Sequence, residues 1–304
     1  MQSNKLKAHA AVLGANFFFG AAISAVKHLS PAVMAPFAIN GVRVLTALPL
    51  FWLLYAFKPS RVGIDKADII RFIGCALCGV VVNQLFFIKG VSLTSPIHAS
   101  LLGLTTPVMI TILAVWILYE KLTLNKTFGL LLGIAGAAVL ILSKDLSGTA
   151  SNQLLGDTFI IVNAIAYSFY LVWVRPLMLR YSPVHVIRWV FTFGTVMMLP
   201  FCWQPMMATD WSAFNNTHYF ALAFAALGAT FFAYLFNVYG IAILGSSVVG
   251  AYIYTQPVFA TVVAMILMGE QLSIAKLLAA ALIFTGVYLV NKKPVSDRLG
   301  VVEE

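Results

Sequence analysis

Six charged side chains stand where so apolar a chain can least accommodate them. Arg43 and Arg188 lie within long apolar runs, Lys27 and Arg175 near the ends of two others, and Glu120 and Glu270 close two more. An arginine inside an apolar span costs about 2.5–3.5 kcal/mol on insertion scales unless it finds a partner. Opposite charges at matching depth would supply one. The expected chemistry is therefore ion pairing: Arg43 and Lys27 with Glu270 at one face, Arg188 and Arg175 with Glu120 at the other, two clusters able to act as alternating latches. A simpler role for each glutamate is to face the positive N-terminus of the next helix, with Thr123 or Ser273 as N-cap. The residue pattern favours that simpler role.

A second group is polar but uncharged: Asn16, Asn83, Gln84, Asn163, Tyr167, Tyr170, Asn237, Tyr252 and Gln256. Each carries donors or acceptors that hydrocarbon cannot satisfy, so each must face protein or water. Taken singly, such residues read as interhelical hydrogen bonds worth about 0.6 kcal/mol. Taken together, they read as a pocket for an amphipathic solute. His98 is the one histidine expected at pocket depth, and its ordinary pKa of about 6.5 would suit proton coupling; hydrogen bonding in a structural role is the plainer reading. Ser100 follows it by two residues, but side chains two apart on a helix point to different faces, which disfavours an intramembrane catalytic pair. No carboxylate falls in the middle of any apolar run. That argues against exchange of a cation for a proton at a central acid and suits a neutral, zwitterionic or weakly anionic solute. Pro107 and Pro257 remove a backbone donor and free the carbonyls of Gly103 and Ile253, making either hinges or static kinks. Cys75-Ala-Leu-Cys78 has no second pair to complete a zinc site and reads as packing.

The elements that must position these residues follow from composition. The chain has 304 residues, 61% hydrophobic and 10% charged, with a mean hydropathy of +0.94. Soluble domains run near 45–50% apolar and about 25% charged, so a soluble enzyme, a disulfide scaffold and a nucleic-acid binder are excluded. A bilayer core of about 30 Å takes about 20 helical residues. Ten such runs can be cut, at 9–28, 34–57, 69–88, 95–118, 126–143, 155–175, 184–203, 219–239, 245–268 and 274–291. The first is too long for a signal peptide's apolar core and lacks a small-residue cleavage site, so it reads as an uncleaved span. With both termini inside, 14 of the 19 Lys and Arg residues fall in inner segments and four (Lys27, Lys89, Lys144, Lys276) in outer ones. The positive-inside rule selects that orientation and accounts for the +9 net charge.

The chain also repeats itself. Residues 90–143 align without a gap to 240–293, so that Gly90 meets Gly240, Pro107 meets Pro257, Glu120 meets Glu270, Thr123 meets Ser273 and Gly136 meets Gly286. More loosely, Phe19-Gly20 with Lys27 matches Tyr167-Ser168 with Arg175. Five spans per copy is an odd number, so the second copy enters the membrane inverted. The expected architecture is an all-α membrane protein of ten transmembrane helices in two inverted five-helix repeats. Residues 1–8 would form an inner tail, 9–143 the first repeat, 144–154 an outer linker, 155–291 the second repeat, and 292–304 an inner tail.

The order of an aromatic-small pair followed by Lys or Arg, an Arg in the second span, a mid-span Pro in the fourth, Glu-x-Leu-Thr/Ser at its end and a glycine-bearing fifth span, given twice, resembles the EamA-type members of the drug/metabolite transporter superfamily. The resemblance runs from about residue 9 to 291. It implies ten helices, a central cavity ringed by spans one, three, four, six, eight and nine, and transport of small metabolites, often outward. The expected function is thus a secondary transporter exporting solutes such as amino acids across a cytoplasmic membrane, with both termini cytoplasmic. Two alternatives stay open: an importer or exchanger of anionic or phosphorylated metabolites on the same fold, and an intramembrane enzyme. The partners expected are a small-molecule substrate, membrane lipid and, through His98, protons; nucleic acid is not among them. No P-loop, haem motif or metal cluster is visible, so no cofactor is expected.

Overall fold

A computed structural model describes residues 2–30, 33–57, 63–93, 102–142, 152–268 and 274–291, and throughout these the regular structure is helical. The first half contains α1 (Gln2–Leu29), α2 (Pro36–Phe57), α3 (Lys66–Ala76), α4 (Asn83–Leu93), α5 (Thr105–Leu118) and α6 (Leu124–Leu142). The second contains α7 (Gln153–Arg180), α8 (Pro183–Met207), α9 (Asn216–Ala223), α10 (Ala233–Leu244), α11 (Ser246–Ala251), α12 (Gln256–Met268) and α13 (Ile274–Asn291). Among the described residues five stretches are long and apolar enough to cross a membrane: Pro36–Phe57, Lys66–Gly90, Leu154–Arg180, Pro183–Met207 and Asn216–Leu244. Shorter apolar helices cover Thr105–Leu118, Leu124–Val139 and Leu277–Asn291. Ile70, Trp116, Val196, Phe220 and Ile266 project from the helices into the surroundings, a surface suited to lipid.

Local chemistry sets the helix ends. Asp65 accepts from the Ala67 N–H at the start of α3, Asn152 from Leu155 at the start of α7, and Ser182 from His185 at the start of α8, where Pro183 fills the first helical position. Asn215 and His218 form a capping box on α9. Tyr119, in the left-handed region at φ 55°, stops α5, and Gly245 at φ 90° stops α10.

Two helices widen in the middle. Leu77–Val82 joins α3 to α4 as a π-helical segment, and Phe224–Phe232 joins α9 to α10 in the same way. They occupy corresponding places in the two halves. Long π segments are rare and concentrate at functional sites; the apolar runs predict ordinary helix over both stretches, because apolar periodicity does not distinguish the two windings.

The packing is reciprocal between the halves. α2 lies on α8 and α6 on α13; α1 lies on α10 as α7 lies on α4; α1 lies on α12 as α7 lies on α5. Exchanging the halves returns each of these pairs. The tightest crossing is α6 with α13, where Gly129 and Gly133 face Gly286. The glycine spacing of the sequence places its small residues at this crossing.

Candidate functional site

The expected polar residues meet most closely around the two π segments. Asn83 and Gln84 directly follow the first. The Asn163 side chain donates to the Asn83 carbonyl at 2.7 Å, Gln84 Nε2 donates to the Tyr234 hydroxyl at 3.4 Å, and Asn237 Nδ2 donates to the Tyr167 hydroxyl at 2.7 Å. Tyr167 and Tyr170 stack with ring centroids 6.0 Å apart. Tyr234 lies at the centre: its hydroxyl is 3.0 Å from the Gly79 carbonyl and 3.3 Å from Asn83 Oδ1, and its ring meets Phe19 and Phe191 edge-on. Gln84 and Tyr234 are 150 residues apart, so a residue and its repeat counterpart touch directly. Tyr254 and Leu104, also 150 apart, are bonded through the Leu104 carbonyl at 3.4 Å.

Tyr234 was not among the residues singled out by sequence, nor were Asn40 and Thr230, which complete the cluster. Asn40 Nδ2 donates to the Gln84 carbonyl at 3.1 Å, and its Oδ1 receives Arg43 NH1 at 3.0 Å; Arg43 Nε donates to Thr230 Oγ1 at 2.8 Å. Two signals pointed to them. Asn40 precedes Arg43 by three residues and so shares its helix face, and Tyr234 stands at the repeat position of Gln84. Two buried polar atoms of the cluster, Gln84 Oε1 and the Tyr170 hydroxyl, have no hydrogen-bond partner among the described residues.

The other expected pocket residues lie apart from this centre. Gln256 Nε2 donates to Asn16 Oδ1 at 2.9 Å, and Asn16 also donates to the Val12 carbonyl, tying α1 to α12. Tyr252 bonds His9 Nδ1 at 2.9 Å, nearer the end of the bundle that holds the N-terminus. His98 lies outside the described residues. Pro107 is the third residue of α5, and Pro257 the second of α12 after a 3₁₀ turn at Tyr252–Thr255. The sequence expectation that Pro257 frees the Ile253 carbonyl needs correction: that carbonyl accepts the Gln256 N–H, because the chain tightens into the 3₁₀ turn instead of leaving the acceptor open.

Of the expected charge clusters, one pair is seen in contact. Arg175 NH1 meets Glu120 Oε1 at 2.7 Å. Glu120 Oε2 takes Lys126 Nζ at 3.0 Å and the Ser247 hydroxyl at 2.6 Å, so one carboxylate joins the end of α5, the start of α6, the last turns of α7 and the start of α11. Burial alone would raise the Glu120 pKa, but the Ser247 hydroxyl, Lys126 and Arg175 outweigh it and hold the carboxyl below its ordinary value. The expected cap also forms beside it, with Thr123 Oγ1 accepting the Lys126 N–H at 3.3 Å. Arg188 does not join this cluster. Its guanidinium lies 3.2 Å from the centroid of Tyr55 and 4.7 Å from that of Trp52, and bonds His185 at 3.1 Å, so aromatic faces replace the expected carboxylate. Glu270 and the Lys27 side chain lie outside what the structure describes, and Arg43 turns to Asn40 and Thr230 as given above. Asp68 makes a separate clasp, receiving Arg180 at 3.0 Å and the Tyr181 hydroxyl at 2.9 Å.

Gly245 forms the turn beside the Glu120 cluster. Its φ of 90° disfavours any side chain, and an added Cβ would strike the Arg175 guanidinium. Gly245→Ala is therefore expected to cost about 1–3 kcal/mol, read as a lowered melting temperature in detergent. An unchanged melt would show that the turn relaxes freely.

Comparison with known proteins fits this geometry. The chain is 26% identical to an uncharacterised transporter of Archaeoglobus fulgidus, across 85% of this chain and 88% of the relative. It is 24% identical to the uncharacterised transporter YetK of Bacillus subtilis, across 88% and 82%. It is 26% identical to the Arabidopsis thaliana protein WALLS ARE THIN 1, across 94% and 82%. A solved crystal structure superposes with a TM-score of 0.78 at 20% identity, covering 99% of both chains, and so shares the fold. The model of the EamA-like transporter family matches twice, over residues 6–142 and 154–292. With the duplicated helical packing and two matches that together take in nearly the whole sequence, the chain belongs to the EamA-like transporter family of the drug/metabolite transporter superfamily.

Proposed function

We propose that this transporter is a secondary carrier that exports small organic metabolites, such as amino acids, across the cytoplasmic membrane by alternating access. Ten spans in two inverted repeats, 9–143 and 155–291, would place both termini in the cytoplasm. The single observation that carries the reading is the direct Gln84–Tyr234 bond. In a two-fold arrangement only residues near the axis touch their own counterparts, so the polar cluster lies where the two halves meet. Inverted-repeat transporters hold their solute at such an interface. The Glu120 cluster closes the end of the bundle that holds residue 2: Val12 of α1 packs on Gly240, one turn from the end of α10. Opening that end would require Arg175, Lys126 and Ser247 to leave one carboxylate. The Archaeoglobus and Bacillus relatives are named as transporters, and among the described residues the polar cluster offers binding groups without an arranged nucleophile and base, so an intramembrane enzyme is the weaker reading.

Reconstitution tests this. Liposomes holding the purified chain should show counterflow of at least some amino acids, and Tyr234→Phe, which removes a hydroxyl shared by Gly79, Asn83 and Gln84, should raise KM by roughly tenfold, the cost of one buried hydrogen bond. Counterflow equal to that of empty vesicles across amino acids, nucleosides and drugs would reject the function. Running the assay with and without a proton gradient tests coupling through His98; a rate indifferent to both the gradient and a His98 substitution would remove proton coupling.

A further inference from the structure

The two halves each carry an arginine in their second helix, Arg43 in α2 and Arg188 in α8, and the structure treats them in opposite ways. Arg188 sits near the periphery yet is only 4% exposed, because Tyr55, Trp52 and Trp189 cover its guanidinium. Arg43 lies deep in the bundle, with protein on all sides, yet keeps part of its surface open. Among the described residues no carboxylate comes within 4 Å of it. Its two partners are neutral and fixed in place. The Thr230 hydroxyl donates to the Ala225 carbonyl at 2.9 Å, leaving its oxygen to accept from Arg43; the Asn40 amide donates to the Gln84 carbonyl, which turns Oδ1 toward Arg43. These contacts use two of five guanidinium N–H groups and aim the rest.

Among the described residues this full positive charge, deep in an apolar bundle, is held only by dipoles and lacks a counter-charge. We infer that Arg43 receives a carboxylate of the transported solute, that Asn40 and Thr230 position it, and that Arg188 is its structural twin with no solute contact. The inference rests on the transport reading and narrows it. One cation matches one carboxylate. A phosphate monoester dianion calls for more, and Lys89 of α4 lies on exposed surface. Gln84 Oε1 and the Tyr170 hydroxyl, buried and unbonded in the same cluster, suit a polar group elsewhere on the solute, and the rings of Phe19, Phe191 and Tyr234 suit its apolar part.

The test compares acids with their amides. L-leucine, L-phenylalanine, pyruvate and benzoate, each beside its carboxamide, are assayed by thermal shift on the purified full chain and by counterflow in liposomes. For wild type, at least one acid should stabilise the protein and bind roughly 10- to 100-fold better than its amide, the range of a charge-assisted hydrogen bond. Arg43→Gln should bring that ratio close to one, Arg43→Lys should restore part of it, and Arg188→Gln should lower the melting temperature while leaving the ratio intact. Should Arg43→Gln fail to fold, Thr230→Val, which frees Arg43 Nε, should still cut the acid-to-amide ratio. A ratio unchanged in both variants, or wild type that no acid stabilises, would overturn the assignment. Acid binding through Arg43 without counterflow would instead uphold the anion site and reject transport.

Discussion

Replacing Glu120 with alanine should release the end of the bundle that holds the N-terminus. One carboxylate, 17% exposed, there holds Arg175, Lys126 and Ser247, which belong to three separate helices. Arg175 is 34% exposed, so its share is partly screened; the buried Ser247 bond and the Lys126 pair carry more. The combined loss is about 2 kcal/mol, which converts to roughly a 30-fold shift in the closed-to-open ratio. Ser246, fully buried beside the cluster, provides the reporter. In a background lacking Cys75, Cys78 and Cys202, Ser246→Cys should react with a maleimide roughly 30-fold faster when Glu120→Ala is added. Glu120→Gln keeps an acceptor for Ser247 and should fall between. The pH dependence has a fixed sign. The folded carboxyl titrates below its ordinary value, so its stabilisation is fully present above the unfolded pKa and is lost as pH falls through the folded one. Acid also depletes the thiolate that maleimide attacks and so slows both proteins; the labelling rate of the Glu120 protein should therefore rise relative to that of the alanine variant as pH falls. Equal labelling in all three proteins would show that the cluster does not hold this end shut.

That latch was half visible in the sequence. Glu120 and Arg175 could be paired because each ends a helix on the same expected face, and a carboxylate and a guanidinium at equal depth in an apolar setting have little alternative to each other. Arg188, by the same logic, should have joined them. It went instead to Tyr55 and Trp52, since two ring faces three residues apart on α2 offer a cation a partner that charge counting does not register. The helices themselves were legible from apolar length, and the duplication from a gapless offset of 150. The π segments were not, because winding is decided by what presses on a helix: Gly79 and Gly228 take the rings of Tyr170 and Phe18 against their backbones. The central cluster was legible as a composition and only partly as a site. Asn83, Gln84, Asn163, Tyr167, Tyr170 and Asn237 gather near Tyr234, while Asn16, Gln256 and Tyr252 bond elsewhere, and nothing short of the helix rotations distinguishes the two sets.

Gly286→Val should destabilise the protein more than any single change at the polar cluster. A Cβ at Gly286 would lie 2.5 Å from the Gly129 carbonyl oxygen and 2.9 Å from the Gly133 nitrogen. Both are backbone atoms of α6, so no side-chain rotation relieves the clash, and α6 must move off α13 as a whole. Overpacking costs about 1–3 kcal/mol when side chains can adjust; here the upper end applies to alanine, and valine should exceed it. The setting enlarges the effect. Between helices in lipid, close backbone approach does the work that the hydrophobic effect does in water, so separating α6 from α13 forfeits the attraction that joins the last helices of the two halves. Gly103→Ala is the control, for a Cβ there meets nothing within 4 Å among the described residues. Fluorescence-detected melting in detergent should rank wild type and Gly103→Ala together, Gly286→Ala below them and Gly286→Val lowest. A melt for Gly286→Ala equal to that of Gly103→Ala would mean that the crossing is loose and that this pair of helices does not hold the two halves together.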